Sequence, residues 1–255
     1  MTATPSRPLA GRRVLVTRAI GQAAPLSQEL RQLGAAVVEI PAISILPVAS
    51  REDLRATALN LRGHRPPRWM AVTSSNAAEA LRTLSLPEDL AGIRVATVGE
   101  PTARALRDIG VNVELVAPGT GAGALADRLI GAGAGAGAVW LPQGEAARME
   151  LGERLRQAGA EVVVTLCYRT VPMAGLRRLL IPAFAEGVDA VTLLSPSAAE
   201  AVIAAIGASA LCGLSVVCVG KTTAAALSRH GLSPVVAARG DAEGVAAAVA
   251  GALRG

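Results

Sequence analysis

Two stretches of this chain repeat each other in order, and that duplication limits the possible folds more than any other feature. Shifted by 125 positions, Leu30-Arg31-Gln32-Leu33-Gly34-Ala35 falls on Leu155-Arg156-Gln157-Ala158-Gly159-Ala160, and Val14-Leu15-Val16 falls on Val139-Trp140-Leu141. Shifted by 121, Thr73-Ser74-Ser75-Asn76-Ala77-Ala78-Glu79-Ala80 falls on Leu194-Ser195-Pro196-Ser197-Ala198-Ala199-Glu200-Ala201. The same shift carries Val98-Gly99-Glu100-Pro101-Thr102-Ala103 onto Val219-Gly220-Lys221-Thr222-Thr223-Ala224. Long ordered matches with a small change of offset mark a duplicated structural unit. At 255 residues there is chain enough for two ordinary domains.

Each copy alternates strands with helices. Arg13–Thr17 is a short β-branched run, and Leu26, Leu30 and Leu33 then line one helical face, with Pro25 in the first turn and Gly34 as the stop. Val37–Ile40, Trp69–Thr73 and Val95–Val98 read as further strands. Asn76–Leu84 reads as a helix, as does the segment carrying Ala103, Leu106 and Ile109 up to Gly110. Such alternation implies an α/β protein with parallel sheets and helices on both faces. Val37–Val48 and Val162–Met173 are extended, β-branched and proline-punctuated, and are candidates for strands that cross between domains. Gly131–Ala138 alternates Gly and Ala and reads as a flexible link.

Composition narrows the function. Apolar residues make up 51% of the chain, yet Phe and Tyr occur once each and Trp twice, so the cores must be built from Val, Leu, Ile and Ala. No apolar stretch is long enough to span a bilayer, and the opening MTATPSRPLAGRR reads as a frayed tail without a signal peptide's apolar core. The net charge of +5 suits an acidic partner. Its arginines are scattered, with no basic run, and stacking aromatics are nearly absent, which argues against nucleic acid. An acidic small ligand fits best. Cys167, Cys212 and Cys218 are odd in number and form no CxxC, so reduced thiols in a reducing, cytoplasmic compartment are expected.

Four strand-to-helix turns carry hydroxyls: Thr73-Ser74-Ser75-Asn76, Gly99-Glu100-Pro101-Thr102, Ser195-Pro196-Ser197 and Gly220-Lys221-Thr222-Thr223. Each alone reads as a helix cap. Together they place N–H donors and positive dipole ends at strand tips, which suits several carboxylates. Gly220-Lys221-Thr222 is not a P-loop, because Ser215 stands where the pattern needs Gly. Gly119–Ala124 fits a relaxed GxGxxA, but a plain loop is the better reading than a dinucleotide site. His64 and His230 have no Cys or Asp spacing around them and indicate neither zinc nor a catalytic triad. Tyr168, the only tyrosine, reads either as a hinge-packing aromatic or as a phenol donating a proton at a cleft mouth.

In this order, these pieces resemble the uroporphyrinogen-III synthase family. The resemblance rests on Val14-Leu15-Val16-Thr17-Arg18, Thr73-Ser74-Ser75-Asn76-Ala77, Val98-Gly99-Glu100-Pro101-Thr102-Ala103 and Gly144-Glu145-Ala146-Ala147-Arg148. It extends through Cys167-Tyr168-Arg169-Thr170, Leu194-Ser195-Pro196-Ser197 and Val219-Gly220-Lys221-Thr222-Thr223-Ala224. It covers the chain from about Arg12 onward; the motifs are short, and their order and spacing carry it. One departure is Ala19, where many relatives place proline after the arginine, which bears on the loop's shape.

The resemblance implies two flavodoxin-like domains, residues 1–38 with 175–255 and residues 48–161. A two-stranded antiparallel connector, 39–47 and 162–174, would join them. It implies cyclisation of hydroxymethylbilane, a linear octacarboxylate tetrapyrrole, to uroporphyrinogen III with D-ring inversion and loss of water, without cofactor or metal. Tyr168 would then be the acid assisting hydroxyl loss, or a positioner of the reacting ring. Arg18, Thr73, Ser74, Thr102, Arg148, Ser195, Ser197, Thr222 and Thr223 would hold carboxylates. A cytoplasmic monomer is expected, in transient contact with the preceding pathway enzyme and with neither nucleic acid nor membrane. The competing reading is a non-catalytic bilobed ligand-binding or regulatory protein of the same fold; a nucleotide-dependent enzyme resting on Gly119–Ala124 is the third.

Overall fold

The computed structural model describes residues 7–84, 88–118 and 121–254. The first repeat runs β1 (Arg13–Val16), α1 (Ala24–Gln32), β2 (Ala36–Glu39), β3 (Ile43–Pro47), α2 (Arg51–Leu61), β4 (Arg68–Val72), α3 (Ser75–Leu81), β5 (Arg94–Val98), α4 (Gly99–Asp108), β6 (Leu115–Ala117) and α5 (Ala122–Gly131). The second runs β7 (Ala138–Gly144), α6 (Glu150–Gln157), β8 (Glu161–Pro172), α7 (Leu176–Ala185), β9 (Ala190–Leu193), α8 (Pro196–Ile206), β10 (Ser215–Val219), α9 (Gly220–Ser228), β11 (Val235–Ala237) and α10 (Ala242–Ala252). The duplication is visible element by element: α1 and β2 recur as α6 and β8, while β5 and α4 recur as β10 and α9. No helix of the described residues is long and apolar enough to cross a membrane.

The chain forms two compact units. One combines the segment ending at Ser44 with the segment starting at Val171; the other is Ile45–Thr170. The first unit holds a sheet ordered β11-β10-β9-β1-β2, all parallel. Leu15, Val191, Leu193 and Val216 face α7, α8 and α9 in one core, and Val14, Val16 and Val217 face α1 and α10 in another. The second sheet is ordered β3-β8-β7-β4-β5-β6. Met70, Val72, Val95 and Trp140 pack on α2, α3 and α4; Trp69, Ala71, Val139 and Leu141 pack on α5 and α6. Alternate residues of each strand thus feed opposite faces, as buried parallel sheets require. The exception to the parallel pattern is β3 beside β8. Flanking bonds from Val48 N–H to Cys167 O and from Met173 N–H to Ala42 O pair rising with falling residue numbers, so this pair is antiparallel.

Local chemistry explains the helix starts. Ser50 and Asp53 form a reciprocal capping box on α2, and Asp241 accepts from Gly244 N–H at 2.8 Å on α10. One expectation is overturned: Gly131–Ala138 is no flexible link. It ends α5, makes a short 3-10 turn at Ala134–Ala136 and enters β7. A Cβ on Gly137 would lie 2.0 Å from Pro67 O, and one on Gly135 2.4 Å from Ala158 O. The glycines are there because backbone passes against backbone. Alternating Gly and Ala gives no hint of that from composition alone. Gly119 and Thr120 of the relaxed GxGxxA, and residues 1–6 of the tail, lie outside the described residues.

Candidate functional site

Each sheet contains a point where the crossovers diverge. In the first unit β1 leads through α1 to β2, while β9, on its other side, leads through α8 to β10. In the second, β4 leads through α3 to β5 and β7 leads through α6 to β8. Ligands of open α/β sheets bind outside the carboxyl ends of strands at such points. In both units the divergence falls at the joint between the two repeats, and most of the candidate residues lie there.

At the β4/β7 divergence, Ser74 follows β4, Gly144 ends β7, and Tyr168 lies on β8 opposite Gly144 across a β-bulge. Ser74 caps α3, its Oγ accepting from Ala77 N–H at 3.1 Å. The same Oγ lies 2.9 Å from the Tyr168 hydroxyl. The Tyr168 carbonyl accepts from Glu145 N–H at 3.0 Å, which fixes the backbone below the ring. The ring passes so near β7 that a Cβ on Gly144 would sit 2.5 Å from Cζ and 2.9 Å from the phenolic oxygen. Tyr168 is half-buried, and its neighbour Cys167 is buried in the apolar core, which pushes the thiol up to about 11. That thiol stays neutral and is no nucleophile. Arg148 is exposed in the loop between β7 and α6, and Thr73 is exposed just before Ser74.

At the β1/β9 divergence, Thr17 Oγ1 donates to Thr192 O at 2.6 Å, clamping the two strand ends together. Arg18 follows at once, half-buried, donating to Gln22 Oε1 at 3.3 Å. Burial lowers its pKa, with no carboxylate contributing to the shift among the described residues. Across from it, Ser195 caps α8 by accepting from Ala198 N–H at 3.2 Å, and Ser197 is exposed one residue into the helix.

The remaining candidates sit one strand further out. Helices α4 and α9 open on Gly99 and Gly220, at φ of +68° and +70°, and neither has a side-chain cap among the described residues. A left-handed first residue needs glycine and lets the chain turn directly from strand tip to helix. Helix starts of this kind favour anions through their first-turn N–H groups and dipole. Thr102 and Thr223 lie in those first turns, buried at 6% and 3% exposure, while Thr222 is exposed. Thr97 Oγ1 donates to Val72 O at 2.7 Å, tying the tip of β5 to that of β4. No cluster of three or more His, Cys, Asp or Glu that could hold a metal occurs among the described residues.

The sequence placed Ser74 and Tyr168 on separate lists, as a carboxylate binder and as an acid. Their hydrogen bond, and the role of Gly144 beneath the ring, needed the register between β7 and β8, which a bulge shifts by one residue.

Comparison with known proteins identifies the family. The sequence pattern of uroporphyrinogen-III synthase HemD matches residues 24–247. The porphyrin biosynthesis protein HemD of Ruminiclostridium josui is 36% identical over 110 residues, covering 41% of this chain and 21% of that protein. The uroporphyrinogen-III synthase of Synechococcus elongatus is 29% identical over 168 residues, 64% of this chain and 62% of that enzyme. The chain thus spans less than two thirds of either relative. In structure, a mutant uroporphyrinogen III synthase of Thermus thermophilus superposes with a TM-score of 0.62 at 19% identity, over 95% of this chain and 99% of that one. That last likeness speaks for the fold, and the match over residues 24–247 settles the family: this chain belongs to the uroporphyrinogen-III synthases.

Proposed function

We propose that this chain converts hydroxymethylbilane to uroporphyrinogen III with loss of water and inversion of the D ring, as a step of tetrapyrrole biosynthesis. The observation that carries the reading is a lone phenol, Tyr168, fixed beside Ser74 at a strand divergence, in a unit whose neighbouring helix α4 has an uncapped N-terminus. An octacarboxylate needs many donors and few charges. Uncapped and half-capped helix starts supply backbone N–H groups and positive dipole ends, each favouring a carboxylate by about 0.3–1 kcal/mol. Arg18 and Arg148 would add charge, and Thr73, Thr102, Ser195, Ser197, Thr222 and Thr223 would add hydroxyls.

The chemistry asks little more of the protein. The Tyr168 proton assists departure of the terminal hydroxyl as water, and the pyrroles themselves supply the nucleophile. Binding then holds the cation so that ring closure occurs at the correct carbon. The units play the part of two domains, with β3 and β8 as the connector between them. The test is direct: freshly prepared hydroxymethylbilane should give the type III isomer well above the spontaneous type I background. Formation of type I alone would sink the reading in favour of a non-catalytic binder.

A further inference from the structure

The hydrogen-bond inventory at Ser74 and the missing side chain of Gly144 carry an inference that rests on the proposed role of Tyr168 and deepens it. Ser74 Oγ already accepts from Ala77 N–H, so one lone pair is used while its own proton is uncommitted. Its distance to Tyr168 Oη, 2.9 Å, allows either oxygen to donate. If Tyr168 donated, its proton would be occupied within the protein and could not reach a leaving group. We propose that Ser74 donates to the phenolic oxygen, and that Gly144 leaves the slot in which the ring lies, so that these two act as positioning residues aiming the Tyr168 proton outward.

The step balances as follows. The proton on Tyr168 Oη passes to the departing hydroxyl oxygen, and the C–O bond breaks with its electron pair on oxygen, which leaves as water. Ser74 O–H stabilises the phenolate left behind. The phenolate recovers a proton when the closing tetrapyrrole sheds one.

Gly144 is the more exacting element. Its φ is not in the left-handed region, so alanine suits the backbone. The obstacle is the ring: a Cβ would come within 2.5 Å of Cζ and 2.7 Å of Cε2. The aromatic ring is rigid and its backbone is held by Glu145 N–H, so the ring must shift and disturb its bond to Ser74. A displacement of that size at a reacting group lowers turnover by roughly 30- to 100-fold.

The test compares steady-state kinetics of Gly144→Ala, Ser74→Ala, Ser74→Thr, Tyr168→Phe and the double variant Gly144→Ala/Tyr168→Phe, each checked for an intact fold by its thermal transition. The expected result is a fall in kcat for Gly144→Ala and Ser74→Ala with KM changed by less than about threefold, and recovery in Ser74→Thr, which keeps cap and donor. The double variant should be no slower than Tyr168→Phe alone, because Gly144 acts only through the phenol. Should Gly144→Ala fail to fold, Ser74→Ala against Ser74→Thr decides. Wild-type kcat in both Gly144→Ala and Ser74→Ala, with Tyr168→Phe impaired, overturns the positioning proposal and leaves the acid in place. A further loss in the double variant also overturns it, since Gly144 would then act apart from Tyr168. Wild-type kcat in Tyr168→Phe overturns instead the role of the phenol on which the proposal rests.

Discussion

Ser74 and Ser195 hold the same cap in the two copies of the repeat. Their backbones differ by no more than 5° in either dihedral, at φ −148°, ψ 149° and φ −147°, ψ 154°, and each accepts from the N–H three residues on. What separates them is a neighbour: Ser74 alone also meets a phenol. The two copies thus hold equivalent helix starts, and one of them also contacts the phenol.

The pair therefore predicts a contrast. Ser74→Ala and Ser195→Ala should each cost about 1 kcal/mol of stability, the usual worth of such a cap. Denaturant unfolding measures this, with about 1 kcal/mol more lost in Ser74→Ala, which also gives up the bond to Tyr168. Turnover should fall much further for Ser74→Ala. Equal kinetic losses would mean that Ser74 contributes nothing beyond what Ser195 does.

Arg18 is half-buried, and burial lowers its pKa. A guanidinium in that position is costly to the free protein and valuable to a complex with an anion. Arg18→Ala should raise KM by roughly tenfold with kcat nearly unchanged, and should not destabilise the free chain. Isothermal titration with the product offers a second check, since affinity should fall by a similar factor. Unchanged affinity would remove Arg18 from the site.

The cysteines should respond in two classes. Cys212 is exposed, while burial raises both Cys167, to about 11, and Cys218. Alkylation of the native protein at neutral pH should modify Cys212 alone, and the other two only on unfolding. A raised thiol pKa also means that the folded chain keeps its proton longer than the unfolded one. Stability from Cys167 is then complete below the ordinary value of 9.0 and is lost as pH climbs towards about 11, by on the order of 2 kcal/mol. Cys167→Ala should show a flatter alkaline stability curve than the wild type.

Asp189 ties the two repeats together beneath the first sheet. Its carboxylate accepts from Arg13 N–H at 2.7 Å and from Arg12 Nη1 at 3.0 Å, and the backbone bond, the larger cause, lowers its pKa. A depressed folded-state pKa contributes stability above the unfolded value and loses it as pH falls through the folded one. Asp189→Asn should thus be less stable than wild type at neutral pH, with the two converging in acid. A constant difference across the range would assign the effect to something other than the charge.

Much of this was legible in the sequence, for identifiable reasons. Strands such as Val95–Val98 and the glycine-stopped helices are set by local periodicity, and the duplication doubled the evidence for each. The hydroxyl-bearing turns at Ser74 and Ser195 were legible because capping is local. The tract Gly131–Ala138 reads as a link because the need for glycine at Gly135 and Gly137 comes from Ala158 and Pro67, distant in sequence. Gly144 escaped for the same reason. Its partner Tyr168 is brought opposite by strand register, and a bulge sets that register. Local patterns declare themselves, whereas close approaches between distant segments do not.

The central claim is that the strand-tip turns take up carboxylates of the substrate. Backbone amide shifts of isotope-labelled protein during titration with uroporphyrinogen III test it most directly. The account predicts the largest shifts at Ser74–Ala77, Gly99–Thr102, Ser195–Ala198 and Gly220–Thr223. Shifts absent from these turns, or centred on the hollow lined by Ile93, Arg94, Gly110 and Glu114 at the opposite end of the strands, would contradict it.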